Sequence, residues 1–332
     1  MKKIKIKKKN ANFKSIRKAS SSSGGAIENT SRIYTIPSDQ LPLQSKSGGK
    51  SKPIVQYSNK KKIYRYGVNK FNKKLFSDPE PAGLSIVIAT MIWRRHDVFM
   101  AWAAGIRRLK NRFPKITINV VVVGSEGRLS RELVEGCGFK YVESPNAPLG
   151  RKANIRLLAC KEYDPDYVIL TGSDNLFSDK YFLFVLLNMQ KKKYDEIASL
   201  DIYYYDLLTK YSTYSNGYQG NIKGIGHHRG EPIAPGRALS KEILEKLEWK
   251  LWLDSEDKYL DKWPRDAIKN HRKRHLHFSC RENGLVMCDI KGEVNMTKSI
   301  IRVNHEVVSD EYIRQEIPEI FELEKIRKSN GS

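Results

Sequence analysis

The feature that most constrains this chain is a rhythm of short, almost unbroken apolar runs separated by helix-patterned stretches. Leu84-Ser85-Ile86-Val87-Ile88-Ala89-Thr90 is the first such run. A strand apolar at nearly every position must be covered on both faces. A helical pattern follows over residues 97–112 and is closed by Pro114. The second run, Ile116 to Val123, ends in Gly124-Ser125-Glu126-Gly127. Helix 128–135, strand 139–143, a loop with Pro145 and Pro148, helix 153–161 and strand 167–171 continue the alternation. The last of these strands ends in Gly172-Ser173-Asp174-Asn175. Strands and helices alternating at this spacing predict an α/β fold with a mostly parallel, Rossmann-type sheet flanked by helices. Such sheets bind ligands beyond the carboxyl ends of their strands, so Thr90, Gly124, Ser125, Ser173 and Asp174 are expected on one rim.

Charge divides the chain differently. Residues 1–77 carry 20 Lys and Arg against only Glu28 and Asp39, whereas the remainder is nearly balanced, at 40 basic and 35 acidic residues. The reading is a disordered basic arm over 1–77, which cannot bury enough apolar surface to order itself, followed by a catalytic domain over 78–332. Its donor half is placed at about 84–200 and its acceptor half at about 201–310. Cys137, Cys160, Cys280 and Cys288 form no CxxC pair and have no His at zinc spacing, so buried free thiols are expected. The longest apolar stretch, Tyr181 to Met189, is too short to span a bilayer and contains Asn188. The Lys-rich start has no apolar core behind it, and a cytoplasmic protein without a membrane span is expected. Beyond residue 195 a Tyr-rich stretch runs from Asp201 to Tyr218. A helix is expected over 240–250, with Ser240 as N-cap, and one closing helix over 311–327.

Three groups of residues carry chemistry. Asp174, at the end of an apolar strand, can hold a hard divalent cation shared with a diphosphate, or it can simply cap a helix. Gly150-Arg151-Lys152-Ala153-Asn154 enters a helix, where free amides and two cations favour an anion. Leu260-Asp261-Lys262-Trp263 offers a carboxylate able to act as general base on a hydroxyl, although Asp254, Glu256 and Asp257 compete for that role.

In their order, Leu84–Thr90 with Arg94, Val120–Gly124, Gly150–Asn154, Thr171–Asn175, Ala234–Ser240 and Leu260–Asp261 resemble GT-A-fold, family-2-like nucleotide-sugar glycosyltransferases. The resemblance spans about two-thirds of the chain. It implies a GT-A-like fold and a Mn²⁺ or Mg²⁺ cofactor with a UDP-sugar as co-substrate. It places Thr90 and Arg94 on the nucleotide, Gly124, Ser125 and Glu126 around the base, and Lys152, Asn154 and Ser173 near the diphosphate or ribose. Asp174 becomes the metal ligand of a DxD-type motif and Asp261 the base of an inverting enzyme. That motif ordinarily holds two or three carboxylates, and here it holds one, with Asn175, water or His227/His228 left to complete the shell.

The segments Phe278–Gly284, Asp289–Lys291 and Asn295–Thr297 resemble phage-encoded members that glycosylate hydroxymethylated pyrimidines in DNA. A strip with Arg265, Lys269, Arg272, Lys273 and Arg274 beside Asp261, together with Arg237, is expected to hold a phosphate backbone, and Trp263 to stack on a base or sugar. The alternatives are a saccharide or protein acceptor, or a DNA-binding protein built on a degenerate transferase domain.

Overall fold

The computed structural model describes residues 80–218, 230–257, 260, 262–292 and 305–329, all within one compact unit. The basic arm, Asp261, His227 and His228 lie outside the described residues.

In chain order the first elements are β1 (Ser85–Met91), α1 (His96–Arg112), β2 (Thr117–Gly124), α2 (Arg128–Gly136), β3 (Lys140–Glu143), α3 (Leu149–Cys160) and β4 (Tyr167–Leu170). They are followed by β5 (Asn175–Phe177), α4 (Asp179–Gln190), β6 (Glu196–Ser199), β7 (Ile202–Asp206), β8 (Ser212–Ser215) and β9 (Arg237–Ser240). The last are α5 (Lys241–Lys246), α6 (Lys262–His271), β10 (His275–Phe278), β11 (Met287–Lys291), β12 (His305–Val308), α7 (Asp310–Glu316) and α8 (Glu319–Ser329).

Seven strands form the main sheet in the order β10-β6-β9-β4-β1-β2-β3. The expected parallel core is there: β1 pairs in parallel with β2 and β4, and β2 with β3. On the other side β9 runs antiparallel to both β4 and β6. Because side chains alternate along a strand, β1 feeds two cores. Ile86 and Ile88 pack with Phe99, Trp102 and Ile106 of α1. Val87 and Ala89 pack with Leu157 and Cys160 of α3. Each such aliphatic side chain contributes about 1.5–3 kcal/mol on burial, so both faces must be covered. The stretch that was too short for a membrane span is α4, buried almost all round as an apolar core helix should be. No described helix is long and apolar enough to cross a membrane. All four cysteines are free and buried.

A second, five-stranded sheet, ordered β12-β8-β7-β11-β5, was not anticipated. The Tyr-rich stretch supplies its hairpin, β7 antiparallel to β8. Its edge next to the main sheet is β5 against β11, also antiparallel, with Asp289 opposite Asn175.

Three helices differ in extent from the sequence reading: α3 begins at Leu149, four residues before the expected 153, and the last two regions depart further. The Ser240 hydroxyl caps α5 as expected, accepting from the amide of Ile243. The helix then stops at Lys246, because Glu248 and Trp249 turn to left-handed φ of 51° and 57° and Trp249 enters the second core. The single closing helix is two, α7 and α8, broken at Pro318, since the residue before proline is pushed out of the helical region (Ile317 φ −133°). Arg108 joins α1 to Glu319 of α8 at 2.6 Å, and Arg327 of α8 meets Asp97 at the start of α1, also at 2.6 Å.

Candidate functional site

The carboxyl ends of β1, β2 and β4 meet at one rim, and the turn after β1 is the most strained part of it. Arg94 and Arg95 both take left-handed backbone, with φ of 55° and 46°. For residues with a Cβ, each such conformation costs roughly 1–2 kcal/mol and persists only where neighbours over-determine it. Glu126, just beyond β2, does this. Its Oε2 accepts from the Arg94 amide at 2.8 Å, the Ser130 hydroxyl at 3.0 Å and His96 Nε2 at 3.2 Å. Burial alone would raise the carboxyl, but these donors and His96 hold it below the ordinary glutamate value. Glu126 is thus occupied in fixing the turn that presents Arg94 and Arg95.

Arg95 reaches across the rim, its Nη2 2.8 Å from Asp174 Oδ2. Asp174 sits in a tight turn: the Gly172 amide donates to Asn175 Oδ1 at 2.7 Å, and a Cβ on Gly172 would lie 2.4 Å from Asp174 Oδ1. Asp174 caps no helix, since Ser178 caps α4, and its carboxylate is engaged by Arg95 instead, while Ser173 beside it is half-buried.

A second carboxylate, missed by the sequence reading, arrives from β11. The Ile290 amide donates to the Asp174 carbonyl at 2.8 Å, locking β11 beside the turn. Asp289, 9% exposed, is held there with Lys291 Nζ 2.8 Å from its Oδ2. Its Oδ1 is buried with no hydrogen-bond partner. Burial, and then the neighbouring Asp174 carboxylate, push Asp289 above the ordinary aspartate value, against the pull of Lys291 and Arg95. An Asp within the apolar run of β11 is itself the signal that could have found it, since buried carboxylates are rare unless partnered or ligating.

Two close carboxylates with one orphaned oxygen fit a hard divalent cation. Mg²⁺ in particular is held by one or two carboxylates, with substrate phosphates completing its shell. No group of three or more His, Cys, Asp or Glu converges among the described residues, which supply such an ion with these two carboxylates.

Several of the expected contacts are corrected. Thr90 is fully buried, beneath the rim rather than on it. Asn154 is a strut: its side chain accepts from the amides of Leu251 and Trp252 and donates to Trp252 O and Asp254 Oδ1, at 2.8–3.1 Å. Lys152 is buried too, its Nζ shared among Ile92 O, Ser125 Oγ and Asn146 Oδ1, each at 3.1 Å. Burial lowers this amine to about 8, with Glu126 opposing. It braces Ser125 from below. The amides at the start of α3 are not open to an anion. Leu149 N donates to Asp257 Oδ1 at 2.9 Å and Gly150 N to Glu256 O at 2.7 Å. Asp254 and Asp257, competitors for the base role, are therefore engaged in holding segment 251–257 on α3.

That clasp makes a prediction. A Cβ on Gly150 would fall 2.1 Å from Leu253 O, and on Gly124 2.5 Å from the Tyr141 ring. Gly150→Ala is expected to lower unfolding stability by about 1–3 kcal/mol, read by urea denaturation, because the obstacle is backbone and cannot swing away.

The expected basic strip is largely neutralised. Arg237 is buried in β9 and Arg272 nearly so, both paired with Glu196 of β6, so neither is available to DNA. Arg265 pairs with Asp266 at 2.6 Å and Lys269 with Glu231 at 3.6 Å. Lys273 and Arg274 are exposed, and Trp263 is half-buried on α6.

No protein-family model matches the chain, and no curated protein does. Solved structures of similar shape include S. aureus TarS 1–349 with UDP-GlcNAc, at 14% identity and a TM-score of 0.44 over 66% of this chain and 62% of that one. The same protein with UDP is 13% identical, with a TM-score of 0.44 over 72% and 65%. A mannosyltransferase from Pyrobaculum calidifontis with GDP-Man and Mn²⁺ is 11% identical, with a TM-score of 0.41 over 66% and 61%. The chain covers less than two-thirds of each of these structures.

Proposed function

We propose that this chain transfers a sugar from a nucleotide-diphospho-sugar, with UDP as the nucleotide, to a hydroxyl acceptor, using a Mn²⁺ or Mg²⁺ ion held by Asp174 and Asp289. The observation that carries this reading is the carboxylate pair with its orphaned Asp289 oxygen, beside the carboxyl ends of the parallel strands β1, β2 and β4. That rim is where open α/β sheets take their ligands. When bound, the ion supplies positive charge against the nucleoside diphosphate as it departs.

The chain's own residues do the rest. Glu126 fixes the strained turn, so that Arg94 and Arg95 face the donor. Lys152 and Asn146 hold Ser125 in place, Asn146 Oδ1 accepting from the Ser125 hydroxyl at 3.2 Å. Gly124 keeps the end of β2 close against Tyr141. Asp261 is our candidate for the base that takes the acceptor proton. A positioned carboxylate contributes typically 10²–10⁴-fold to such a step. For the acceptor we propose a hydroxymethylated pyrimidine in DNA, a reading supported by Lys273, Arg274 and the basic residues of 1–77.

The test is turnover. Purified protein with Mn²⁺ or Mg²⁺ meets a panel of UDP-sugars, with DNA containing 5-hydroxymethylcytosine or 5-hydroxymethyluracil, or with saccharide acceptors. The expected result is divalent-dependent UDP release and a sugar mass added to the modified nucleoside. Release with label on a saccharide instead keeps the transferase and overturns the DNA acceptor. No release with any donor overturns the transferase in favour of a binding protein.

A further inference from the structure

Around the carboxylate pair stand two cations whose arrangement has its own logic. Asp174 is paired with Arg95 at 2.8 Å and Asp289 with Lys291 at 2.8 Å. With both acids ionised the two cations match the two carboxylates and the quartet is neutral, the balance that a semi-buried cluster without a ligand favours. The four side chains are only 13–20% exposed, so solvent screens them weakly. A divalent ion entering between the carboxylates competes for oxygens that Arg95 and Lys291 already hold. Once the ion is seated, the cluster carries two surplus positive charges. A nucleoside diphosphate ester carries two negative charges on its bridge.

We propose that Arg95 and Lys291 are placeholder cations: they neutralise Asp174 and Asp289 until a divalent ion displaces them, and then turn to the donor's diphosphate. This rests on the divalent-cation site argued above and deepens it by making ion and nucleotide binding mutually dependent. Each residue is suited to the exchange. Arg95 lies on the left-handed turn at the head of α1, where its stem projects over the rim. Its planar fork suits carboxylate and phosphate oxygens equally well. Lys291 is the last residue of β11, with a flexible four-carbon stem and its ammonium also 5.3 Å from the Tyr204 ring. The orphaned Asp289 Oδ1 shows that the two cations do not saturate the pair, leaving an oxygen for an incoming ion.

The test uses the full chain and Mn²⁺ alone, with free Mn²⁺ counted by electron paramagnetic resonance, and then UDP by calorimetry with and without Mn²⁺. Arg95→Gln and Lys291→Gln are each expected to tighten Mn²⁺ binding by about three- to tenfold, because a competing charge is gone. The same substitutions are expected to weaken UDP binding in saturating Mn²⁺ by about tenfold, since charge-assisted contacts to phosphate are lost. Opposite signs in the two titrations cannot come from partial unfolding, and Asp174→Asn should abolish Mn²⁺ binding in both backgrounds, leaving the free Mn²⁺ signal undiminished. Unchanged or weaker Mn²⁺ binding in both variants overturns the placeholder role while leaving the ion site standing. No Mn²⁺ binding by the unaltered chain, with or without UDP, overturns both. Tighter Mn²⁺ binding in the variants, with no UDP binding by the unaltered chain, keeps the charge exchange at the carboxylates and overturns its diphosphate half together with the proposed donor.

Discussion

Asp174→Asn is expected to lower sugar transfer by on the order of 10²–10³-fold, the size of loss seen when one electrostatic stabiliser of developing charge is removed. The amide keeps the shape of the turn at Gly172 but cannot balance a divalent ion. The unfolding midpoint should fall only modestly, because Arg95, at 20% exposure, keeps some contact with water once its counter-charge is gone. Asp289→Asn should produce a comparable loss, and the double substitution should be hardly worse than either, since residues acting on one ion are not additive. The measurement is UDP release at saturating donor across a Mn²⁺ titration. Loss that excess Mn²⁺ fully restores would point to affinity alone. Undiminished turnover in both single variants would remove the carboxylate pair from the mechanism.

The second large effect concerns stability. Glu196 of β6 is buried, with Arg272, Arg237 at 3.4 Å and His277 Nε2 at 2.9 Å around it. Burial raises its carboxyl, but the His277 hydrogen bond and the charges of Arg237, His277 and Arg272 outweigh that and hold it at about 2. Glu196→Gln leaves two largely buried guanidinium groups without a counter-charge and is expected to cost about 3–5 kcal/mol. The pH dependence has a definite sign. An unfolded glutamate titrates near 4.5, so this contribution is whole above that value. It is lost as pH falls from 4.5 toward 2, by roughly 3 kcal/mol in total. Urea denaturation at pH 7, 4 and 3 should show the native chain losing stability over that window, and Glu196→Gln should lack this share of the loss. Parallel pH profiles for the two proteins would assign the acid sensitivity elsewhere.

Much of the parallel core was legible because its signal is local. Leu84–Thr90 and Ile116–Val123 are apolar at nearly every position, and only a strand covered on both faces uses such a run. Asp174 was legible for the same reason, as the first charge after a buried strand. The second sheet was not. β5 has only three residues and β8 reads Ser-Thr-Tyr-Ser, too short and too polar for periodicity to register. The basic strip misled because sequence adjacency says nothing of partners: Glu196, which takes up both Arg237 and Arg272, lies some 40 and 75 residues upstream of them. Asn154 and the start of α3 misled likewise. A loop-to-helix junction with cations looks like an anion site until Glu256 and Asp257 are found on its amides.

The pairing of β11 with β5 has a bearing on how the chain matures. Asp174 and Asp289 are more than a hundred residues apart and become neighbours only when β11 has closed the edge of the second sheet. Contacts of such long range are formed late, after the local β-α units have condensed. A nascent chain that has built everything through β10 would therefore carry all seven strands of the main sheet and the helices α1 to α6, yet have only half of its carboxylate pair. Capacity to bind a divalent ion would then report completion of the fold, distinguishing finished molecules from well-ordered but immature ones that circular dichroism would score alike.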